Sequence, residues 1–284
     1  MSFLDKIKRC NARDLARYRP FLIEGARFGF VTSERCAILA QYAHVFDVQP
    51  DHVMFAAHLD TAHKRTQALA GIAPELSASG AFLKPTGELY GVKNNWAEPE
   101  QLRIDRALVP GFGFRAFGVH VNGFVRRPSG IHLWIGTRAM MCRVEPGKLD
   151  NMVAGGQPAH LSIMDNLVKE CGEEAGLDET FARQAQPTGT ITYSFDAPEG
   201  LKVDTLYCFD LEMPEAIVPI NRDGEISSFA LVPLTDILAG VSETSRFKFN
   251  VNLVIIDFAI RHGIIGPTQE PDLEAIIAGL RESP

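Results

Sequence analysis

The sequence predicts an α+β protein made of two units, a small α+β unit over residues 1–117 and a larger unit over residues 118–284. Short strand-like and helical pieces alternate before residue 118, whereas longer strands flank one amphipathic helix after it. The chain has 284 residues, enough for one large or two ordinary domains. Its 46% apolar and 22% charged residues are typical of a globular protein, which excludes disorder and fibrous repeats.

Charge and cysteine usage narrow the function classes. A formal net charge of -7 repels a phosphate backbone, so a general nucleic-acid binder is excluded, while a small anionic substrate remains accessible through metal ions. The 5 cysteines form no C-x-x-C pair and indicate reduced thiols in the cytoplasm. Since we see neither an apolar leader nor a stretch of about eighteen apolar residues, we expect no export and no membrane contact. Oligomeric state stays open, a homodimer included.

The elements of the first unit follow from caps, periodicity and breakers. Ser2 is placed to cap a helix that extends to Leu15 and ends before Pro20. We expect strands over 29–31 and 89–92 and helices over 33–46 and 60–70. The glycine-rich run 111–118 resembles a phosphate loop, but the strand-like residues 119–125 follow it directly. We therefore interpret the run as a turn or a link between the units.

The informative segment is a glycine pair, 155–156, followed by a helical pattern that ends at Gly176. A glycine after the last turn is typical of a left-handed helix cap. Three glutamates, Glu170, Glu173 and Glu174, project within an arc of about 100°. The adjoining arc is apolar and contains Ile163, Met164, Leu167, Val168 and Cys171.

Three carboxylates so close together repel one another unless a cation neutralises them. Clusters that offer only oxygen ligands are what the hard ions Mg²⁺ and Mn²⁺ prefer. The glutamate triplet therefore predicts a divalent metal site on this helix. A solvated acidic helix face is the plain alternative, and the framing glycines argue against it.

This segment resembles the signature of the Nudix (MutT-like) hydrolases. The signature is Gly, five residues, Glu, seven residues, then Arg-Glu-apolar-any-Glu-Glu-any-Gly-apolar. The residues that fill it here are Gly155, Glu170, Cys171, Glu173, Glu174, Gly176 and Leu177. Two positions depart from it, because Leu161 stands where the first glutamate belongs and Lys169 replaces the arginine. A lysine keeps the charge and can pair with Glu173 four residues on, but it lacks the planar fork of arginine.

The flanking sequence extends the resemblance. Residues 132–138 and 146–156 are similar to the strand, loop and strand ahead of a Nudix helix, and residues 223–226 are similar to the late acidic loop of the family. A strand over 228–234, a helix after it and a terminal helix over 272–280 complete the unit. The resemblance implies a Nudix α/β/α sandwich with a mixed β-sheet.

The resemblance also implies an activity and a set of site residues. Nudix enzymes hydrolyse diphosphate linkages by water attack at phosphorus, with Mg²⁺ or Mn²⁺ as cofactor. It assigns metal binding to Glu170, Glu173 and Glu174, and catalytic roles to Glu174, Glu173 and Glu225. We expect substrate contacts from Arg138, Lys148 and His120, although each also has a structural explanation as a solvated arginine, a turn lysine or a buried histidine.

Residues 88–90 and 118–123, ahead of the signature, are most similar to the Nudix subgroup described as thiamine-pyrophosphokinase-related. Proteins of that subgroup carry an uncharacterised N-terminal domain, so the resemblance covers nearly the whole chain. We expect residues 1–117 to take part in substrate selection. The resemblance implies thiamine diphosphate, or a damaged analogue of it, as the substrate.

Two other functions remain open at this stage. One is a metal-dependent isopentenyl-diphosphate isomerase, which shares the fold but needs a thiol and a further acid in its pocket. The other is a non-catalytic diphosphate-binding module, which the loss of acid at Leu161 favours. The sequence has no H-E-x-x-H, no G-x-S-x-G and no Walker motif, which excludes the zinc, serine-hydrolase and P-loop chemistries that those motifs mark.

Overall fold

The computed structural model describes residues 2–284. The helices in that range are α1 (Phe3–Cys10), α2 (Ser33–Leu39), α3 (Ala62–Ala78), α4 (Val109–Phe112), α5 (Ile163–Ala175), α6 (Glu179–Ala182), α7 (Leu234–Glu243), α8 (Val251–Arg261) and α9 (Leu273–Gly279). The strands are β1 (Tyr18–Ile23), β2 (Ala26–Thr32), β3 (Phe46–Val48), β4 (Val53–Phe55), β5 (Leu89–Val92), β6 (Leu102–Asp105), β7 (Arg115–Arg127), β8 (Gly130–Arg138), β9 (Leu149–Asp150), β10 (Val153–Gly156), β11 (Gln186–Ala197), β12 (Gly200–Glu212) and β13 (Ile226–Pro233). Across these residues we find no helix with the length and hydropathy that crossing a bilayer requires.

The first sheet has the strand order β2-β1-β4-β3, in which β1 is antiparallel to β2 and parallel to β4. At its centre Phe21 is fully buried and meets four other phenylalanine rings edge-on. The ring centroids lie between 5.1 and 6.1 Å away and belong to Phe46, Phe55, Phe112 and Phe114. Edge-to-face contacts add stability beyond area burial. The glycine-rich run, which carries two of these rings, therefore closes the first core.

The second sheet has the strand order β11-β12-β7-β8-β13, with β10 also paired to β7 and β9 to β8. Strand β12 runs parallel to β7, whereas the other neighbours are antiparallel, so this sheet is mixed. One face packs on α5 through Val119, Val121 and Leu167. The other face packs on α7 and α8. Helices therefore cover both faces and form an α/β/α sandwich, as the sequence predicts.

Helix α1 packs on the second unit although it precedes the first sheet in the sequence. Ser2 caps it in a reciprocal capping box, as predicted. Ile7 is 2% exposed and belongs to the core of α7, α8 and α9. A Cβ on Gly279 of α9 would lie 2.3 Å from Ile7 Cγ2, so the two helices are in close contact. The core that belongs to the first sheet therefore begins only at β1.

Several predicted elements have other bounds in the structure. The first helix ends at Cys10, and Leu15 starts a separate 3₁₀ turn. The predicted helix 33–46 ends at Leu39, because the chain must turn to bury Phe46 in β3. The helix predicted over 60–70 continues to Ala78. Helix α8 is absent from the sequence prediction, because its apolar residues surround the helix and leave no amphipathic period.

Candidate active site

Helix α5 presents the predicted carboxylates to a cleft. Its N-terminus is capped by Ser162, whose Oγ accepts a hydrogen bond from the backbone N–H three residues on at 3.1 Å. The helix is capped at its C-terminus by Gly176, which adopts the left-handed conformation with a φ of 66°. Cys171 on its apolar side is fully buried against the second sheet. The side chains that line the cleft are Glu170, Glu173 and Glu174, together with Lys169.

The glycine pair ahead of the helix allows two close approaches. Gly155 and Gly156 end β10, which pairs with β7. A Cβ on Gly155 would lie 2.3 Å from Glu170 Cδ, and one on Gly156 would lie 1.8 Å from the Tyr90 hydroxyl. Neither contact is compatible with a larger residue. The two glycines are therefore required by side chains that press on the backbone from α5 and from β5.

The three glutamates lie in different environments. Glu174 is 4% exposed, and its Oε2 accepts the Ala154 N–H at 2.8 Å. Burial raises the pKa of Glu174 well above its usual range and also raises the pKa of Glu170. Lys169 Nζ lies 3.2 Å from Glu170 Oε1 and 2.7 Å from Glu173 Oε2. The predicted pairing of Lys169 with Glu173 is confirmed, and the same ammonium also neutralises Glu170.

The cleft has a volume of about 360 Å³ and three walls. Helix α5 and the glycine pair form the first wall. The second comes from the sheet and the segment before α8 and contains Tyr193, Lys202, Asp204, Lys248, Phe249 and Asn250. The third comes from the β5–β6 hairpin and contains Glu88, Tyr90 and Arg106. Glu225, in the loop before β13, also lines the cleft. Residues from both predicted units therefore surround one space.

The carboxylates of α5 fit a hard divalent cation by their chemistry, because they are oxygen ligands on one side of a helix that faces the cleft. In the arrangement described for residues 2–284, no three side chains of His, Cys, Asp or Glu converge closely enough to hold a metal ion. The three glutamates do not converge because Lys169 is paired with Glu170 and Glu173, while Glu174 accepts a hydrogen bond from the backbone of β10.

Comparisons with known proteins assign the family. A family model described as a domain of unknown function, DUF4743, matches residues 2–116. The chain is 39% identical over 269 residues to Nudix hydrolase 24, chloroplastic, of Arabidopsis thaliana, covering 93% of this chain and 74% of that protein. This chain belongs to the Nudix hydrolase family. Nudix hydrolase 20, chloroplastic, of the same plant is 38% identical over 276 residues, again with 93% and 74% covered.

Among solved structures, the Nudix domain of Shewanella oneidensis NrtR, complexed with ADP ribose, is similar over 53% of this chain and 90% of its own. The identity there is 13% and the TM-score 0.42. The predicted family and α/β/α fold are confirmed. The chain is thus a Nudix diphosphate hydrolase, a class of enzyme that uses divalent metal ions. We refer to α5, which carries the glutamates that resemble the family signature, as the Nudix helix.

The side chain of Arg138, which was predicted to bind a phosphate, is already paired with other groups of the protein. It is 7% exposed, its Nε donates to Val144 O at 3.0 Å, and its Nη1 lies 2.8 Å from Asp150 Oδ2. Lys248 Nζ reaches the same carboxylate oxygen at 3.1 Å. Burial alone would raise the pKa of Asp150, but Lys248, His120 and Arg138 hold it below the usual range. Arg138 therefore orders β8 and β9, at the back of the cleft.

The structure brings His120 and Glu225 to the cleft but not Lys148. Lys148 Nζ donates to Ser245 O at 2.6 Å and lies among residues outside the cleft lining. His120 is 3% exposed, and its Nδ1 lies 2.9 Å from Asn151 Oδ1, so it forms a buried part of the cleft wall. Glu225 is exposed on its loop.

Sequence reasoning missed most of the second and third walls. Asp204 and Arg106 belong to no motif, and the fold alone places them opposite the Nudix helix. Tyr90 belongs to the segment 88–90 that resembles the Nudix subgroup, and the glycine that it contacts, Gly156, is a second sign of a close approach.

Gly155→Ala should lower kcat on the order of 100-fold, because the new methyl group displaces the Glu170 carboxylate. The matched control is Gly71→Ala, since Gly71 lies in α3 and a Cβ added there would have no atom within 4 Å. We expect that variant to keep full activity and to gain about 0.5–1 kcal/mol of stability. Steady-state kinetics and thermal unfolding measure both effects, and equal kcat values for the two variants would contradict the assignment.

His120 should make the folded state sensitive to acid. Burial, and next the nearby Lys248, lower its pKa from 6.5 to about 4. Between pH 6.5 and 4 the unfolded chain therefore binds a proton at His120 that the folded protein does not. The contribution of His120 to stability falls as the pH falls through this range and is constant above 6.5. We expect His120→Asn to remove about 3 kcal/mol of this loss. Urea unfolding across this pH range tests it. The exposed His63→Asn variant should follow the wild type, and parallel curves for all three proteins would refute the prediction.

Proposed function

We propose that this enzyme is a Mg²⁺-dependent hydrolase of a small diphosphate, with Mn²⁺ as an alternative cofactor. The proposal rests on one observation: Glu170, Glu173 and Glu174 line the cleft together, and Glu170 packs directly against Gly155 in the same wall. These three residues would hold the ion once Lys169 withdraws. When bound, a divalent ion neutralises phosphate oxygens and acidifies the attacking water.

The carboxylates take separate roles in the proposed reaction. Glu174 is fixed by the Ala154 N–H and is suited to a ligand that does not move. Glu225 is exposed at the cleft, and so is Glu173, which can accept the proton of the attacking water once Lys169 withdraws. We therefore assign Glu174 to the metal ion and the general base to Glu173 or Glu225, of which Glu225 comes from outside the helix.

The proposed substrate is thiamine diphosphate or a damaged analogue of it. The subgroup resemblance supports this choice, and so does the second wall of the cleft. Asp204 there is half-buried and hydrogen-bonded to Tyr193, and burial raises its pKa. Asn250 is 6% exposed, and its Oδ1 has no hydrogen-bond partner among residues 2–284. A carboxyl group and an amide oxygen beside the rings of Tyr193 and Phe249 are complementary to a cationic or amino-substituted heteroaromatic ring.

The remaining assignments are proposals of the same kind. We assign substrate selection to residues 1–117, because the hairpin wall of the cleft comes from this segment. We place the enzyme in the cytoplasm, on the support of its free cysteines, and expect it to act on small molecules rather than nucleic-acid polymers or membranes.

The two alternative functions, an isomerase and a non-catalytic binding module, have less support than the hydrolase. An isopentenyl-diphosphate isomerase needs a thiol in the cleft, but Cys171 and Cys208 are buried in the cores and Cys142 donates to Glu225 O at 3.3 Å. A non-catalytic binding module is favoured by one observation, the pairing of Lys169 with two of the glutamates. That alternative predicts diphosphate binding without turnover.

Glu174→Gln should lower hydrolysis about 100-fold or more, because an amide is a poor ligand for a hard cation. The assay is mass-spectrometric product analysis with Mg²⁺ in ¹⁸O-labelled water. The substrates are thiamine diphosphate, its oxidised analogues, nucleoside diphosphates, nucleotide sugars and isopentenyl diphosphate. Glu179→Gln is the matched control, since Glu179 is a helix glutamate paired with Arg183 outside the cleft.

Label in a phosphate product of the wild type and the control, and its loss in Glu174→Gln, is the result expected of a hydrolase. An isomerised product without label would select the isomerase instead. Binding with no turnover of any substrate would select the binding module.

Asp204→Asn should raise KM about tenfold or more for thiamine-type diphosphates, because a hydrogen bond to a charged group is lost. The affinity for isopentenyl diphosphate, which has no ring, should not change. Asp196→Asn is the matched control, since Asp196 accepts a hydrogen bond from Tyr18 at 2.7 Å outside the cleft. An equal loss of affinity for both types of diphosphate would contradict a role of Asp204 in recognising the ring.

A further inference from the structure

The β5–β6 hairpin belongs to the segment matched by the domain of unknown function, yet it forms one wall of the Nudix cleft. Leu89 O accepts the Ala159 N–H at 2.8 Å, in the segment between the glycine pair and the Nudix helix. Next to it, Tyr90 is 8% exposed and its hydroxyl lies against Gly156. The hairpin is therefore held at a fixed distance from the carboxylates of α5.

A buried carboxylate fixes the turn from which Arg106 projects. Asp105 is 8% exposed and accepts backbone N–H groups from Thr86 at 2.9 Å, Gly87 at 2.6 Å and Ala107 at 2.9 Å. The N–H of Arg106 itself donates to Glu88 O at 2.9 Å. The backbone on both sides of Arg106 is thus held, while its side chain remains 51% exposed at the cleft.

Arg106 differs from the other cations of the cleft in how it is paired. Arg138 and Lys248 share the buried Asp150, with side chains only 8% and 12% exposed. Lys169 bridges two glutamates, and Lys202 pairs with Glu199 at 2.9 Å. Arg106 contacts one carboxylate, Glu88, through Nη1 at 2.5 Å. Its other guanidinium N–H groups have no acceptor within residues 2–284, so a planar fork of donors remains for a ligand.

A diphosphate in this cleft needs a cation opposite the Nudix helix. The helix side is acidic and attracts the substrate only through a metal ion, whereas the hairpin wall offers a half-exposed guanidinium on a fixed turn. Glu88, 33% exposed, neutralises this guanidinium in the absence of a substrate. A phosphate group can replace one carboxylate contact with a two-point contact, which is stronger and directional.

We propose that Arg106 binds the diphosphate of the substrate from the N-terminal segment, so that this segment completes the active site and Glu88 is the internal competitor for Arg106. The inference rests on the proposed function and deepens it, because it names a residue outside the Nudix unit that determines phosphate binding. It makes Arg106 a binding residue, and Tyr90 and Asp105 positioning residues.

The test measures binding of inorganic pyrophosphate with Mg²⁺ to the full chain by calorimetry. Arg106→Ala should raise Kd about tenfold or more, and Arg106→Lys should recover part of the loss through its point charge. Glu88→Gln should lower Kd, because it removes the competing carboxylate. The matched control is Arg103→Ala, since Arg103 lies on the same strand pair, is 46% exposed, pairs with Glu100 and lies outside the cleft. Thermal unfolding confirms that each variant is folded.

Opposite shifts in Arg106→Ala and Glu88→Gln, with Arg103→Ala unchanged, support the inference, since a loss of fold would move all three in one direction. Equal Kd values for Arg106→Ala and Arg103→Ala overturn it, as does a wild type that does not bind pyrophosphate. The proposed function fails separately, if Glu174→Gln hydrolyses the preferred substrate as fast as the wild type.

Discussion

The cleft depends on the contact that the glycine pair of β10 makes with a side chain on each flank. Glu170 of the Nudix helix presses on Gly155, and Tyr90 of the N-terminal hairpin presses on Gly156. Two adjacent residues without side chains therefore set the separation between the carboxylates and the opposite wall. The glycine of the family signature, Gly155, is thus required here for steric reasons. Gly156 is required for the same reason, by a side chain that comes from the other unit.

Buried charge orders the back of the cleft. Asp150 is 1% exposed and is neutralised by Arg138 and Lys248, which come from β8 and from the segment before α8. A buried carboxylate is tolerated only when its partners satisfy it, so removing both cations would leave an uncompensated buried charge. This ion cluster joins distant parts of the chain beneath the site, and it explains why Arg138 is not free for substrate.

The features that sequence reasoning predicted are local ones. The Gly176 cap, the glycine pair and the spacing of Glu170, Glu173 and Glu174 all lie within 22 residues (155–176) and are enough to predict the Nudix helix. Arg106 and Asp204 depend on pairing between distant strands, which no local pattern encodes. Arg138 and Lys148 are both basic residues near the helix in sequence, but only the fold decides that one is buried on Asp150 and the other lies outside the cleft.

The packing of α1 has a consequence for how the chain is made. This helix precedes the first sheet in the sequence, whereas its partners α8 and α9 follow the second sheet. Lys6 Nζ donates to Thr244 O at 2.5 Å, a contact between residues 238 positions apart. The apolar side of α1 therefore has no native cover until α8 and α9 have been synthesised and folded, so this core closes late in folding. Such a late closure makes the correct folding of the catalytic unit depend on a helix that lies ahead of the other unit in the sequence.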